Sequence, residues 1–216
     1  MNPCLRAAAL AACLLAATGC APLERSRAIG NDEVPALTLA QQVCSGCHGA
    51  GGNSTSPAFP KLAGQQRDYL AAQLAEFKSH NRSDPTGAKY MWGLARLSPA
   101  QVEGLATYFS TQPVAAGPQG DPALRALGAS LFAQGVPERG VPMCSACHGA
   151  QGEGNGAFPR LAGQHADYLA KQLQVFRGTD QRPAGIAMKQ IAHELSDGQV
   201  LALSAYLQGL VPGGAP

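Results

Sequence analysis

Cys44-Ser45-Gly46-Cys47-His48-Gly49-Ala50 returns as Cys144-Ser145-Ala146-Cys147-His148-Gly149-Ala150, at an offset of 100. The correspondence then runs on: Ala58-Phe59-Pro60-Lys61-Leu62-Ala63-Gly64-Gln65 pairs with Ala157-Phe158-Pro159-Arg160-Leu161-Ala162-Gly163-Gln164, Asp68-Tyr69-Leu70 with Asp167-Tyr168-Leu169, and Leu97-Ser98 with Leu195-Ser196. A single ancestral unit is used twice. Within each copy the apolar residues recur with helical spacing. Leu70, Leu74 and Phe77, echoed by Leu169, Leu173 and Phe176, form one amphipathic face. Val102, Leu105 and Phe109, echoed by Val200, Leu203 and Leu207, form a second, introduced by the N-cap pairs Ser98-Pro99 and Ser196-Asp197. A further helix is expected from Asp121-Pro122 towards Ala133, with Leu39 to Val43 as its short counterpart in the first unit. No stretch alternates as a strand does, so the pattern predicts two all-α domains.

Working outward, Thr111 to Gly120 is rich in Pro and Gly and lacks charge, which marks a linker between the units. The expected organisation is a signal peptide over 1–20, a polar tether over 21–36, a first domain over 37–112, a linker over 113–120, a second domain over 121–210 and a tail over 211–216. Arg6 followed by the uncharged run Ala7 to Ala17 is too short to span a bilayer and suits the hydrophobic region of an export signal. Ala17-Thr18-Gly19-Cys20 resembles a bacterial lipobox, with Ala17 where Leu is usual. The expectation is a periplasmic protein, either anchored by lipid through Cys20 or released by ordinary cleavage nearby.

The chain is 45% hydrophobic, with 16 basic and 14 acidic side chains. Charged residues make up 14%, against roughly 25% in an average domain, which leaves too few cations for extensive phosphate neutralisation. Nucleic acid is therefore not an expected partner. Residues 37–112 carry 6 basic and 4 acidic groups and residues 121–216 carry 7 and 7, a mild asymmetry for electrostatic steering.

Three of the seven cysteines, Cys4, Cys13 and Cys20, belong to the signal, and the other four form two Cys-x-x-Cys pairs. In an oxidising compartment such pairs can be disulfides. A zinc site would bring its two pairs within roughly 20 residues of each other, and a thioredoxin-like motif would need strands around it. The histidine directly after each pair points instead to covalent c-type haem: two thiols reach the vinyl groups and the adjacent imidazole turns onto the iron. Two copies predict two haem c groups, attached through Cys44 and Cys47 and through Cys144 and Cys147, with His48 and His148 as axial ligands.

The sixth ligand separates electron transfer from ligand chemistry, because a Met thioether closes the iron and an open position binds substrate. After the signal only Met91, Met143 and Met188 remain, and Met143 lies directly before Cys144 on the stretch that supplies the proximal side. Met91 and Met188 occupy matching places, each expected on a loop between the two amphipathic helices of its unit, and are read as the axial pair. His80, His165 and His193 have no counterparts in the other repeat and are read as structural or surface residues. Tyr69, Tyr168, Arg82 and Arg182 are candidates for bonding haem propionates, and Pro60 and Pro159 for orienting the imidazoles through a backbone carbonyl.

Taken together these residues resemble the dihaem cytochrome c4 family. The likeness rests on two Cys-x-x-Cys-His units, Phe-Pro-x-Leu-Ala-Gly-Gln after each, a Tyr-Leu-x-x-Gln-Leu helix, and a late Met before a Leu-Ser-capped helix, from Leu39 to Leu210. It implies two class I cytochrome c folds about a pseudo-twofold axis, His/Met ligation, and electron transport in a respiratory chain. The implied partners are redox proteins: a terminal oxidase, a quinol-cytochrome c reductase or a dehydrogenase. The alternatives are the electron-accepting subunit of an exported dehydrogenase, and a haem peroxidase-type enzyme, which would need one iron without its Met. As a carrier, the chain would have no catalytic residue of its own.

Overall fold

The computed structural model describes residues 27–211. The expected signal peptide, Cys20, the start of the tether and residues 212–216 of the tail lie outside the described residues. Among the described residues regular structure is helical throughout, with no strand and only two isolated bridges, Val136 with Val141 and Asn155 with Phe158.

In the first unit α1 (Ala36–Leu39) runs through a π-helical turn (Ala40–Cys44) into α2 (Ser45–His48), followed by α3 (Arg67–Lys78), α4 (Pro85–Leu94) and α5 (Pro99–Ser110). The second unit repeats the plan with α6 (Pro122–Gln134), α7 (Ser145–His148), α8 (Ala166–Gly178), α9 (Ile186–His193) and α10 (Asp197–Gln208). Ser98 and Ser196 cap α5 and α10 as their sequences predict. Each hydroxyl accepts the N–H of Gln101 or Gln199, whose side chain in turn accepts the cap residue's N–H. The two apolar faces read from sequence meet inside each unit: Leu39, Leu70, Leu97, Leu105 and Phe109 in the first, Leu131, Phe132, Leu169, Leu195, Leu203 and Leu207 in the second. At the crossing of α6 and α10, Gly128 lets the backbones touch, since a Cβ there would meet the carbonyl of Ala202 and lie 2.6 Å from Tyr206 Cβ.

Three features differ from expectation. Met91 and Met188 stand on helices α4 and α9, not on loops. The start signal for α4 is plain in hindsight: the Asp84 carboxylate accepts the Gly87 N–H and Pro85 occupies the first helical position. The described end of the tether is not free. Val34 is buried in the first core, and the Gln101 side chain holds Gly30 N–H, Asn31 O and Val34 O.

The linker is likewise strapped onto both units. Asn53 exchanges hydrogen bonds with Pro113 O and Ala115 N, Lys61 Nζ donates to Ala115 O at 3.1 Å, and Gly117 N donates to Gln208 O at 3.2 Å. Val114 wedges between Gly64 and Gly163, both at positive φ (61° and 71°); a Cβ on Gly64 would collide with it. Lack of charge and abundance of Pro and Gly suit a tight strap as well as a loose one, so composition alone could not separate the two.

Candidate functional site

Each Cys-x-x-Cys-His sequence forms the short helix that ends in its histidine, and both histidines are buried. His48 Nδ1 donates to Pro60 O at 2.8 Å and His148 Nδ1 to Pro159 O at 2.9 Å. The prolines foreseen as imidazole orienters therefore do that, twice and in the same way. With the proton fixed on Nδ1, Nε2 carries the free lone pair that a metal needs. Burial pushes both imidazoles below their ordinary pKa, so each is neutral at pH 7. Phe59 and Phe158 stand edge-on to these rings at 6.2 and 6.3 Å.

A cavity of about 650 Å³ with a predominantly apolar lining runs through both units. His48, Cys44 and Cys47 line it together with Met91 from α4, and His148, Cys144 and Cys147 together with Met188 from α9. Among the described residues these four cysteines form no disulfide, which leaves both pairs available for thioether attachment of haem. His80, His165 and His193 do not line this cavity. His80 stacks on Trp92 at 4.2 Å, His165 occupies the N-cap position of α8 without a side-chain capping bond, and His193 is the last residue of α9. An apolar slot with a lone-pair imidazole, a thioether and two thiols per unit fits a covalently held haem in each.

The units meet through a polar seam that sequence reasoning missed. Gln65 Oε1 accepts Arg160 N–H at 2.6 Å while its Nε2 donates to Arg160 O at 3.0 Å. Gln164 does the same to the backbone of Lys61, at 2.8 and 2.9 Å. Tyr69, Tyr168, Arg82 and Arg182, foreseen as propionate partners, are engaged with each other across this seam: Arg182 Nη2 donates to Tyr69 Oη at 3.0 Å, and Arg82 Nη2 to Tyr168 Oη at 3.3 Å. The one available signal was that polar residues, not only apolar ones, recur at matched positions of both units.

The Cytochrome c family model matches residues 35–113 and 126–210, one match for each unit. Cytochrome c4 of Thiocapsa roseopersicina is 43% identical over 176 residues, covering 79% of this chain and 88% of its own. The chain belongs to the cytochrome c4 family. The crystal structure of reduced recombinant cytochrome c4 from Pseudomonas stutzeri superimposes with a TM-score of 0.73 at 40% identity, covering 84% of this chain and 99% of that one. A thiosulfate dehydrogenase electron acceptor of Stutzerimonas stutzeri (strain A1501) is 38% identical over 172 residues, covering 77% of this chain and 78% of its own. As a cytochrome c4-type protein, the chain is a dihaem electron carrier with two covalently bound haem c groups and a tandem all-α fold.

Proposed function

We propose that the chain carries electrons between periplasmic redox proteins, taking them from a reductase or dehydrogenase and delivering them to a terminal oxidase. In this reading Cys44 and Cys47 hold the first haem with His48 and Met91 as axial ligands, and Cys144 and Cys147 hold the second with His148 and Met188. The observation that carries it is the repeated donor set: in each unit an imidazole with Nδ1 tied to a proline carbonyl lines one apolar cavity with a methionine from another helix.

Haem supplies a one-electron couple. The chain's residues decide that this couple is used for transfer alone. With an imidazole and a thioether from each unit holding its haem, His48 with Met91 and His148 with Met188, a change of oxidation state would require no bond to be made or broken. Apolar side chains such as Leu70, Phe77, Leu169 and Phe176 exclude water from the cavity. The Gln65 and Gln164 seam holds the two units in one arrangement, so that the path between them keeps a constant length.

Partners would approach where the cavity reaches the surface. Beside the second Cys pair Met143 and Phe158 are exposed (50% and 47%), whereas Phe59 of the first unit is half-buried against Tyr90, ring centroids 5.3 Å apart. Transient redox partners make small contacts of this kind.

The test is spectroscopic. Met91→Leu and Met188→Leu should each abolish the thioether-to-iron absorption band of one haem and leave the other's, with two haems still bound per chain. A full band in either variant would refute that ligand. The likeness to a thiosulfate dehydrogenase electron acceptor favours a second reading, an acceptor subunit for an exported dehydrogenase. A dehydrogenase that co-purifies stoichiometrically at physiological salt would establish it over the free carrier.

A further inference from the structure

We propose that Asp84 is a positioning residue for Met91 and that it acts as part of the seam between the units, so that the hold on the first iron's sixth ligand depends on the second unit. This rests on Met91 being that ligand.

An N-cap carboxylate normally sits at the surface, but Asp84 is 1% exposed. Its Oδ2 accepts the Gly87 N–H at 3.2 Å in the first turn of α4, and its Oδ1 accepts Arg82 Nε at 2.7 Å. Arg82 also grips the far part of the same helix, because its carbonyl accepts Trp92 Nε1–H at 3.0 Å, and Trp92 is the neighbour of Met91. Both anchors of α4 thus converge on one arginine. That arginine is set in turn by Gln73 of α3 (2.7 Å) and, across the seam, by Tyr168 and Gln172 of α8 (3.3 Å each). Ser83 adds a backbone bond to Gln181 O at 2.9 Å.

The second unit lacks this device. Arg182 reaches Gln172, Tyr69 and Gln73, but the stretch from Arg182 to Met188 is shorter and holds no carboxylate. Helix α9 starts at Gly185 without a side-chain cap, and the residue after Met188 is Lys189, which pairs with the exposed Asp180. One methionine is anchored to the seam and the other stands on a short outer helix.

The experiment uses the intact dihaem protein. In the reduced state an iron-bound methionine methyl is shifted far upfield by the porphyrin ring current, giving one NMR signal per haem. In the oxidised state imidazole competes with the thioether. Asp84→Ala should weaken or remove the Met91 signal and lower the imidazole concentration needed at the first iron at least 10-fold, with the Met188 signal and its displacement unchanged. Asp84→Asn keeps one acceptor oxygen for the Gly87 N–H but turns an amide donor toward Arg82, so it should recover only part of the native behaviour.

A Tyr168→Phe/Gln172→Ala variant, altered only in the second unit, should lower the imidazole concentration needed at the first iron several-fold. Native behaviour at the first iron in Asp84→Ala, equal loss at both irons, or fully native behaviour in Asp84→Asn, which would show that the Arg82 link is not needed, would overturn the proposal. Should Asp84→Ala not fold, the second-unit variant decides alone, and an unchanged first iron overturns it. Met91→Leu tests the ligand assignment separately: if both upfield signals survive in it, the ligand reading fails, not the coupling.

Discussion

Replacing Gln65 and Gln164 together by alanine should uncouple the two units while leaving each Cys-x-x-Cys-His site intact. Both glutamines are buried, and each closes a two-bond ring with the backbone of the other unit. Alanine leaves the buried N–H groups of Lys61 and Arg160 and the Arg160 C=O without these partners, at about 1–3 kcal/mol for each unsatisfied group, whereas the Lys61 C=O still accepts from the Arg160 guanidinium. The single variants should each cost about 2 kcal/mol, and the pair somewhat less than the sum, because water can enter the seam once it opens.

The loss falls on the contact between units, so the native protein's unfolding should split into two transitions in the double variant. Small-angle scattering should show a larger radius of gyration before either unit melts. Arg160 makes the expected effect larger. The residue is 2% exposed, its guanidinium has no carboxylate partner among the described residues and is pushed down to about 10 by burial, and it is held by the carbonyls of Ala162 and Lys61 and by the packing around it. One cooperative transition, with a midpoint within about 0.5 kcal/mol of native, would show that the strap, not the glutamines, holds the units together.

The seam also shows where sequence reading reached its limit. The two Cys-x-x-Cys-His motifs were legible as candidate haem sites because their chemistry is local, two thiols, an imidazole and their spacing lying within five residues, and the structure brings each motif to one cavity with Met91 or Met188. The helices were legible where apolar periodicity and Ser caps coincide, as in α5 and α10. The proline carbonyls that orient His48 and His148 were legible from their fixed place after each motif. Gln65 and Gln164 were not, because a glutamine's value here depends on a backbone about 100 residues away. Arg82 and Arg182 were read as candidate propionate partners from their matched positions and forked guanidinium, and they do line the cavity; their bonds to tyrosines of the other unit were not legible. Helices α4 and α9 escaped because both are short, and α9 has neither a capping side chain nor a proline at its first position.

The asymmetry between the two arginines carries the last prediction. Arg82→Met should destabilise the protein by about 3–5 kcal/mol at pH 7, the usual result of removing one member of a buried ion pair, because Asp84 then has no cation beside it. Arg182 is half-buried and forms no ion pair among the described residues; it donates to Tyr69, Gln73 and Gln172 and, like Arg82 on Phe77, packs over a ring, that of Phe176 at 4.5 Å. Arg182→Met should cost about 1–2 kcal/mol, the loss of hydrogen bonds to a charged donor.

The pH dependence separates a charge effect from lost packing. In the native protein Arg82 holds the Asp84 carboxyl below its usual range, so this pair's contribution is present above the unfolded carboxylate value, about 3.9, and is lost as pH falls through the folded one. In Arg82→Met burial is opposed only by the weaker pull of Arg182 and the Gly87 N–H, so the Asp84 pKa rises above its native value and acid more readily protonates the stranded carboxylate, reducing the penalty. The gap between the two variants should therefore narrow steadily from pH 7 to pH 4.5 in urea titrations. A gap that stays constant would mean that Arg82 contributes through its packing on the Phe77 ring, 4.4 Å from the guanidinium, and not through its charge.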